Sequence, residues 1–365
     1  MLNCKNIGGI EFSVDNSIEQ KFDYMRQELR KQFPNITPEQ EAANLELYKA
    51  YLTRDRAVTK INLDEDLPPI NEEYVIDYAV DIRPNEAHYI EVAKAALGQI
   101  WTFLLNGGAA SSYKLPSGWT KADIPLVPRD EWAGDDPRTP DTPKNIDNIA
   151  QDVLKNQRTV VLVCNEKSKE LSYSYISAYY PEALQYLRFI VQDESLMVEA
   201  ATGKPVSGKT YPVGHGNMED IVYRYLGAEM EEAGVKYTYE ANADDLVGIY
   251  LPLAAYGYML ERDVEYAEIS TPRTDSDIKG GIFGSPGGIG VDQAEVAMLK
   301  DADLATSQNR NLYPDWNTNA AIQTLATSRI MYEHRNEVPV FLNKDGDLLK
   351  LETVKGLYMK LLPAE

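Results

Sequence analysis

Histidine and cysteine are scarce in this chain. Three histidines, His88, His215 and His334, lie far apart, and the two cysteines, Cys4 and Cys164, form no CxxC pair. No nitrogen or sulfur ligand set stands at a metal-binding spacing, so neither a metal nor a cofactor is expected. A disulfide framework is not expected either, which suits a reducing compartment without proving one. Long hydrophobic runs are also lacking. The most apolar stretch, Tyr250 to Leu260, has Asp245 and Glu261 close by and is too short to cross a bilayer. The opening MLNCKNIGG has no apolar core of the signal-peptide kind. The expectation is a soluble protein, cytoplasmic or in a virion, not secreted by a signal peptide.

Positive charge is in deficit. Thirty-six basic residues face 57 acidic ones, a net charge of −21. A phosphate backbone would be repelled, so the acidic body is not expected to bind nucleic acid. The first 60 residues are balanced, nine basic against nine acidic, and the rest carries the whole excess. A neutral segment ahead of an acidic body can dock on an acidic surface, including that of a second copy.

What is present is mostly helical signal. Ser17 and Gln20 form a capping box, and Ile18, Phe22, Met25 and Leu29 then share one face. Thr37, Pro38 and Gln40 open a second helix with Leu45, Tyr48 and Leu52 along it. The pair reads as a helical hairpin whose apolar side must pack on the body or on another subunit. The pattern predicts a strand over 74–80, a helix over 85–105 ended by Asn106-Gly107-Gly108, a helix over 144–155 and a buried strand over 159–163. Pro181 is expected to open a helix through Val191. Further helices are expected at 218–233, 243–262, from Asp292, and at 317–334. A hairpin over 338–351 and a short helix over 353–362 close the chain. The fold class expected is mainly α with minor β (α+β). Prolines 116, 125, 128, 137, 140 and 143 make 113–145 a linker or arm between an N-terminal helical region, 1–112, and a C-terminal helix-rich domain, 146–365.

Chemical motifs are few. Gly203-x-x-x-x-Gly208-Lys209-Thr210 has phosphate-loop spacing. Pro212 then stands where the helix of a real phosphate loop would be running, which argues against that reading. The adjoining Tyr211-Pro-Val-Gly-His215-Gly resembles the Pro-Ser-Gly-His block of acid phosphatases and vanadium haloperoxidases. Val213 replaces the serine and no second histidine follows in the needed block, so no family is assigned. Residues 280–290 hold six glycines, but Asp292 and Glu295 read as a capping pair that would repel an anion. Twenty-four tyrosines suit interfaces, because each joins apolar area to a hydroxyl.

With no catalytic constellation in view, the sequence favours a non-enzymatic, self-assembling structural protein of the capsid or shell type, a homo-oligomer. Ile18, Phe22, Met25, Leu29, Tyr48, Tyr179 and Tyr180 are its expected interface. The alternative is an enzyme binding a phosphorylated or sugar-like small molecule at the 203–217 loop through Lys209, Thr210 and His215.

Overall fold

A computed structural model of the chain describes residues 12–58, 60–107, 119–128, 131, 141–277 and 280–362. Cys4, Gly108 and most of the proline-rich segment 113–145 lie outside them. The central element is a six-stranded mixed sheet, with strands numbered here in chain order: β1 Ile100–Leu105, β2 Val160–Cys164, β3 Leu187–Val191, β4 Tyr237–Asn242, β5 Tyr266–Pro272 and β6 Asp315–Thr324. Their spatial order is β3-β2-β1-β4-β6-β5. The four strands from β3 to β4 run parallel, while β6 is antiparallel to both its neighbours.

The apolar runs Ile-Trp-Thr-Phe-Leu-Leu of β1 and Val-Val-Leu-Val-Cys of β2 explain this placement. Side chains alternate between faces, so a strand apolar at every position needs cover on both sides. On one face Trp101, Phe103, Val161 and Val163 meet Met218, Ile221, Val222 and Met230 of the helix Asn217–Glu232. On the other, Ile100, Leu104, Val160 and Leu162 share a core with Ile146, Ile149 and Val153 of the helix Asn145–Asn156 and with Tyr256 of the helix Leu253–Arg262. The result is an α/β layered sheet.

A second, five-stranded sheet joins Ala57–Val58, Val340–Asp345, Leu348–Glu352, Glu194–Glu199 and Pro205–Pro212 in that order. The N-terminal hairpin, α1 Ile18–Gln32 and α2 Pro38–Thr53, lies on it. Both predicted capping boxes form. Met25, Leu29 and Tyr48 are fully buried against Leu196, Val198, Val340 and Leu351, and Phe22 packs at the edge of the same core. The Tyr48 hydroxyl donates to the Gly203 carbonyl at 2.8 Å. The hairpin's apolar side is therefore covered by this chain's own second sheet. Ile18 and Tyr179 stay exposed, and Tyr180 is half-buried beside the main core.

The expected mainly α class is corrected: three sheets are present, the third a hairpin of Gly281–Gly284 with Asp292–Glu295. Each misread element has a local cause. The helix over 85–105 is a helix over Glu86–Ala95, a turn at Leu97–Gln99, and then β1. Residues 317–324 read as helical because Asn317, Gln323 and Thr324 interrupt the apolar pattern of a strand. Inside the fold, Gln323 is buried, with its amide nitrogen within hydrogen-bond distance of Glu219, Glu240 and Ser328. Pro252 delays the 243–262 helix to Leu253. Past the turn at Pro181–Gln185, Leu187–Val191 is β3 rather than helix. Residues 72–74 and 78–82 form short helical turns, not a strand, and Asp292–Glu295 is a strand, not a helix start.

Candidate active site

β1 is first in sequence and central in space. The chain moves from it to β2 and β3 on one side, then crosses to β4 on the other. In sheets of this kind the crevice beyond the carboxyl ends, where the winding reverses, is where ligands bind. Here that point lies between the ends of β1 and β4.

Asn106, directly after β1, is fully buried and braces the crevice floor. Its side-chain oxygen accepts from the Ala122 amide at 2.9 Å and its amide group donates to Ser172 Oγ at 3.0 Å. Gly107 follows with its carbonyl accepting from Asn165 Nδ2 at 2.8 Å. A Cβ there would sit 2.5 Å from the end of the Gln192 side chain, which would have to move to admit it. Across the crevice, Lys121 Nζ lies 3.3 Å from Asn242 Oδ1 at the end of β4 and 3.1 Å from Asp244 Oδ1. Asn242 Oδ1 also accepts from Asn319 Nδ2 at 3.2 Å. Asn319 reaches it through a bulge in β6, at a φ of 60°. Bulges beside sites commonly serve to re-aim a side chain in this way.

His215 closes the other side. The turn bearing it follows the strand Pro205–Pro212 and precedes the helix at Asn217. Gly214 has a φ of 100°, and a Cβ on it would lie 2.3 Å from the Thr353 carbonyl oxygen. Gly216 donates its amide to that oxygen at 3.1 Å, and Thr353 N donates to Val213 O at 2.9 Å. The turn is thus laid against the backbone of 353–354. His215 Nε2 is 3.8 Å from Glu295 Oε1, while Nδ1 is buried without a hydrogen-bonding partner among the described residues. Burial, then the nearby Lys355 and Lys121 charges, pushes the imidazole down to about 4, so it is neutral at pH 7. Burial pushes Glu295 up to about 7.

Of the residues singled out from sequence, only His215 lies at this crevice. Lys209 and Thr210 are on the strand Pro205–Pro212, Lys209 exposed. The Gly203–Thr210 pattern therefore crosses a turn and a strand, not a strand followed by a helix. Lys121, Asn242, Asp244, Asn319 and Glu295 were not found by sequence reasoning. A largely apolar hexapeptide, Ile100–Leu105, running into Asn-Gly-Gly was the available signal, had it been read as strand then loop. Among the described residues, no group of three or more His, Cys, Asp or Glu side chains is placed to hold a metal ion.

The architecture is that of the UDP-glucose pyrophosphorylases, α/β enzymes. The Leishmania major enzyme (V402W mutant) superposes with a TM-score of 0.70 at 17% identity, covering 96% of this chain and 74% of that one. The Trypanosoma brucei UDP-glucose phosphorylase gives 0.65 at 16%, covering 91% and 71%. In sequence, the family profile described as UTP--glucose-1-phosphate uridylyltransferase matches residues 183–363. The enzyme of that name from Pyrus pyrifolia is 29% identical over 179 residues, 47% of this chain and 37% of its own length. The Saccharomyces cerevisiae enzyme is 27% identical over 179 residues, 46% and 35%. The chain spans little more than a third of the length of these curated relatives. The matches overturn the expectation of a capsid, virion or shell protein: they are to enzymes, and the alternative reading from sequence fits them better. No helix among the described residues is long and apolar enough to cross a membrane.

Proposed function

We propose that the chain is a uridylyltransferase that joins a uridine nucleotide to a sugar 1-phosphate at the crevice beyond β1 and β4. The sugar phosphate oxygen attacks the α-phosphorus of UTP, and pyrophosphate leaves. The observation that carries this reading is Lys121, a cation held at the winding reversal by Asn242 and Asp244. Phosphoryl transfer depends on positioning and on neutralising charge at the moving phosphate, which a presented lysine supplies. Asp244 keeps the ammonium in the crevice until an anionic substrate competes for it. Neutral His215 can donate or accept a hydrogen bond there without repelling Lys121. Gly107 leaves room for the backbone beside it to approach a phosphate closely. The likeness of the fold to UDP-glucose pyrophosphorylases, and of residues 183–363 to the uridylyltransferase profile, supports the same reading.

The test is kinetic. Lys121→Ala is expected to lower kcat/KM for UDP-glucose formation about 10²- to 10³-fold. Lys209→Ala, on its exposed strand, is expected to leave it unchanged. Equal effects of the two substitutions would place the reaction elsewhere.

A further inference from the structure

Beneath the His215 turn lies a buried charge cluster with no place in the reaction as described. Lys355, at the start of the turn Lys355–Leu361, is 2% exposed. Its Nζ is 3.0 Å from Glu240 Oε2 on β4 and 4.0 Å from Glu268 Oε1 on β5. Glu219, fully buried on the helix Asn217–Glu232, joins through Gln323, whose Nε2 donates to Glu219 at 2.8 Å and to Glu240 at 3.2 Å. Tyr266 donates its hydroxyl to Glu268. Three carboxylates share one ammonium, so full ionisation would leave two buried negative charges uncompensated. Burial of that kind is a large cost, and a hydrophobic filling would serve a purely structural purpose better.

The position of the cluster suggests its use. Lys355 is two residues from Thr353, whose backbone makes two hydrogen bonds to the His215 turn. Gly356 packs so closely on Gln293 that a Cβ would lie 2.5 Å from the Gln293 Cβ. Gln293 in turn donates to Glu295 at 3.1 Å, and Glu295 faces His215. One short segment, 353–356, therefore supports both sides of the imidazole.

We propose that Lys355 is a positioning residue for the nucleotide-sugar crevice: by pinning residues 353–356 to Glu240 and Glu268 on the main sheet, it sets where His215 stands. Lys355 touches no substrate in this scheme and acts through the turn. The charged groups around the pair are Glu240 from β4, Glu268 from β5 with the Tyr266 hydroxyl, and Glu219 from the helix. Around His215 they are Glu295 from the hairpin, Lys121 from across the crevice, and Lys355 itself. The lysine's positive charge bears on the imidazole, so its loss must register there.

The inference rests on the proposed function for its binding arm only. The chain has three histidines, and His88 and His334 are exposed, so His215 can be told apart and followed by long-range ¹H–¹⁵N correlation in the intact 365-residue chain. The variants are Lys355→Arg, which keeps the charge, Lys355→Met, and Lys355→Met with Glu240→Gln, which removes the pair as a unit and carries the test if the single loss prevents folding. In wild type and Lys355→Arg, His215 is expected to titrate near pH 4. In the charge-loss variants its midpoint should rise by about one pH unit, a tenfold change in protonation. UDP-glucose affinity should fall about tenfold in the same variants and return with arginine. An unmoved His215 midpoint overturns the proposal whatever the affinities. So does a moved midpoint with unchanged affinity. If wild type binds no UDP-glucose, the functional reading fails, and the titration alone decides whether Lys355 controls the turn.

Discussion

Glu219 and His215 are neighbours in sequence with opposite titration behaviour, and both follow from burial. Burial, reinforced by Glu240, pushes the Glu219 carboxyl up to about 8. An unfolded glutamate titrates near 4.3. Between those values the folded chain holds a proton that the unfolded chain has lost, so stability falls as pH rises through this window and levels off above pH 8. His215 is shifted the other way, so it costs stability as pH falls from about 6.5 toward 4 and contributes no slope above that range. Glu219 should therefore contribute a loss of about 1 kcal/mol to urea unfolding between pH 7 and pH 8 in wild type, with a smaller loss added by Glu295. Glu219→Gln should reduce that slope, and an unchanged slope would mean that another group holds the proton. At this scale the sequence told little. A glutamine in an expected helix gives no hint that it bridges two buried carboxylates. Lys121 lies in a proline-rich stretch with no neighbour in sequence that marks it as chemical. Only His215, between two glycines that backbone contacts require, could be singled out.

Elements were legible where their signals are local. Capping boxes are read within four residues, and both helices of the N-terminal hairpin start where Ser17 and Thr37 place them. The hairpin at 340–352 and the buried strand β2 were legible for the same reason. Strands β1 and β6 were not, because strand identity depends on partners far away in sequence. Ile100 and Leu104 fall on the helical stripe begun at Tyr89, and nothing nearby reveals that Tyr237 and Val160 wait alongside. The surface that covers the hairpin was equally hidden, since its strands come from near residues 200 and 345. That docking can be measured. Leu29 is fully buried against the second sheet, so Leu29→Ala should cost about 2–5 kcal/mol in urea unfolding. The remaining folded protein should still bind UDP-glucose, since the Lys121, Asn242 and Asp244 side of the crevice is carried by the main sheet. A cost below about 0.5 kcal/mol, as for a surface substitution, would contradict the packing.

Over the whole molecule, the N-terminal hairpin, the neutral segment ahead of an acidic body and the wealth of tyrosine pointed to assembly because they were weighed without a fold. Within the fold, many tyrosines are core residues. Tyr48, Tyr239, Tyr256 and Tyr358 are among the largest fully buried side chains. The acidic excess has a different meaning as well, because a phosphate-bearing substrate entering the crevice meets Lys121 there. Association should therefore weaken with added salt if this lysine attracts the nucleotide. The proposed function is tested most directly by turnover with the purified 365-residue chain. Incubated with UTP and glucose 1-phosphate, it should release UDP-glucose and pyrophosphate in equal amounts, with Lys121→Ala nearly inactive. No product from any pairing of UTP with a hexose 1-phosphate, together with no measurable binding of UDP-glucose, would contradict the proposed function.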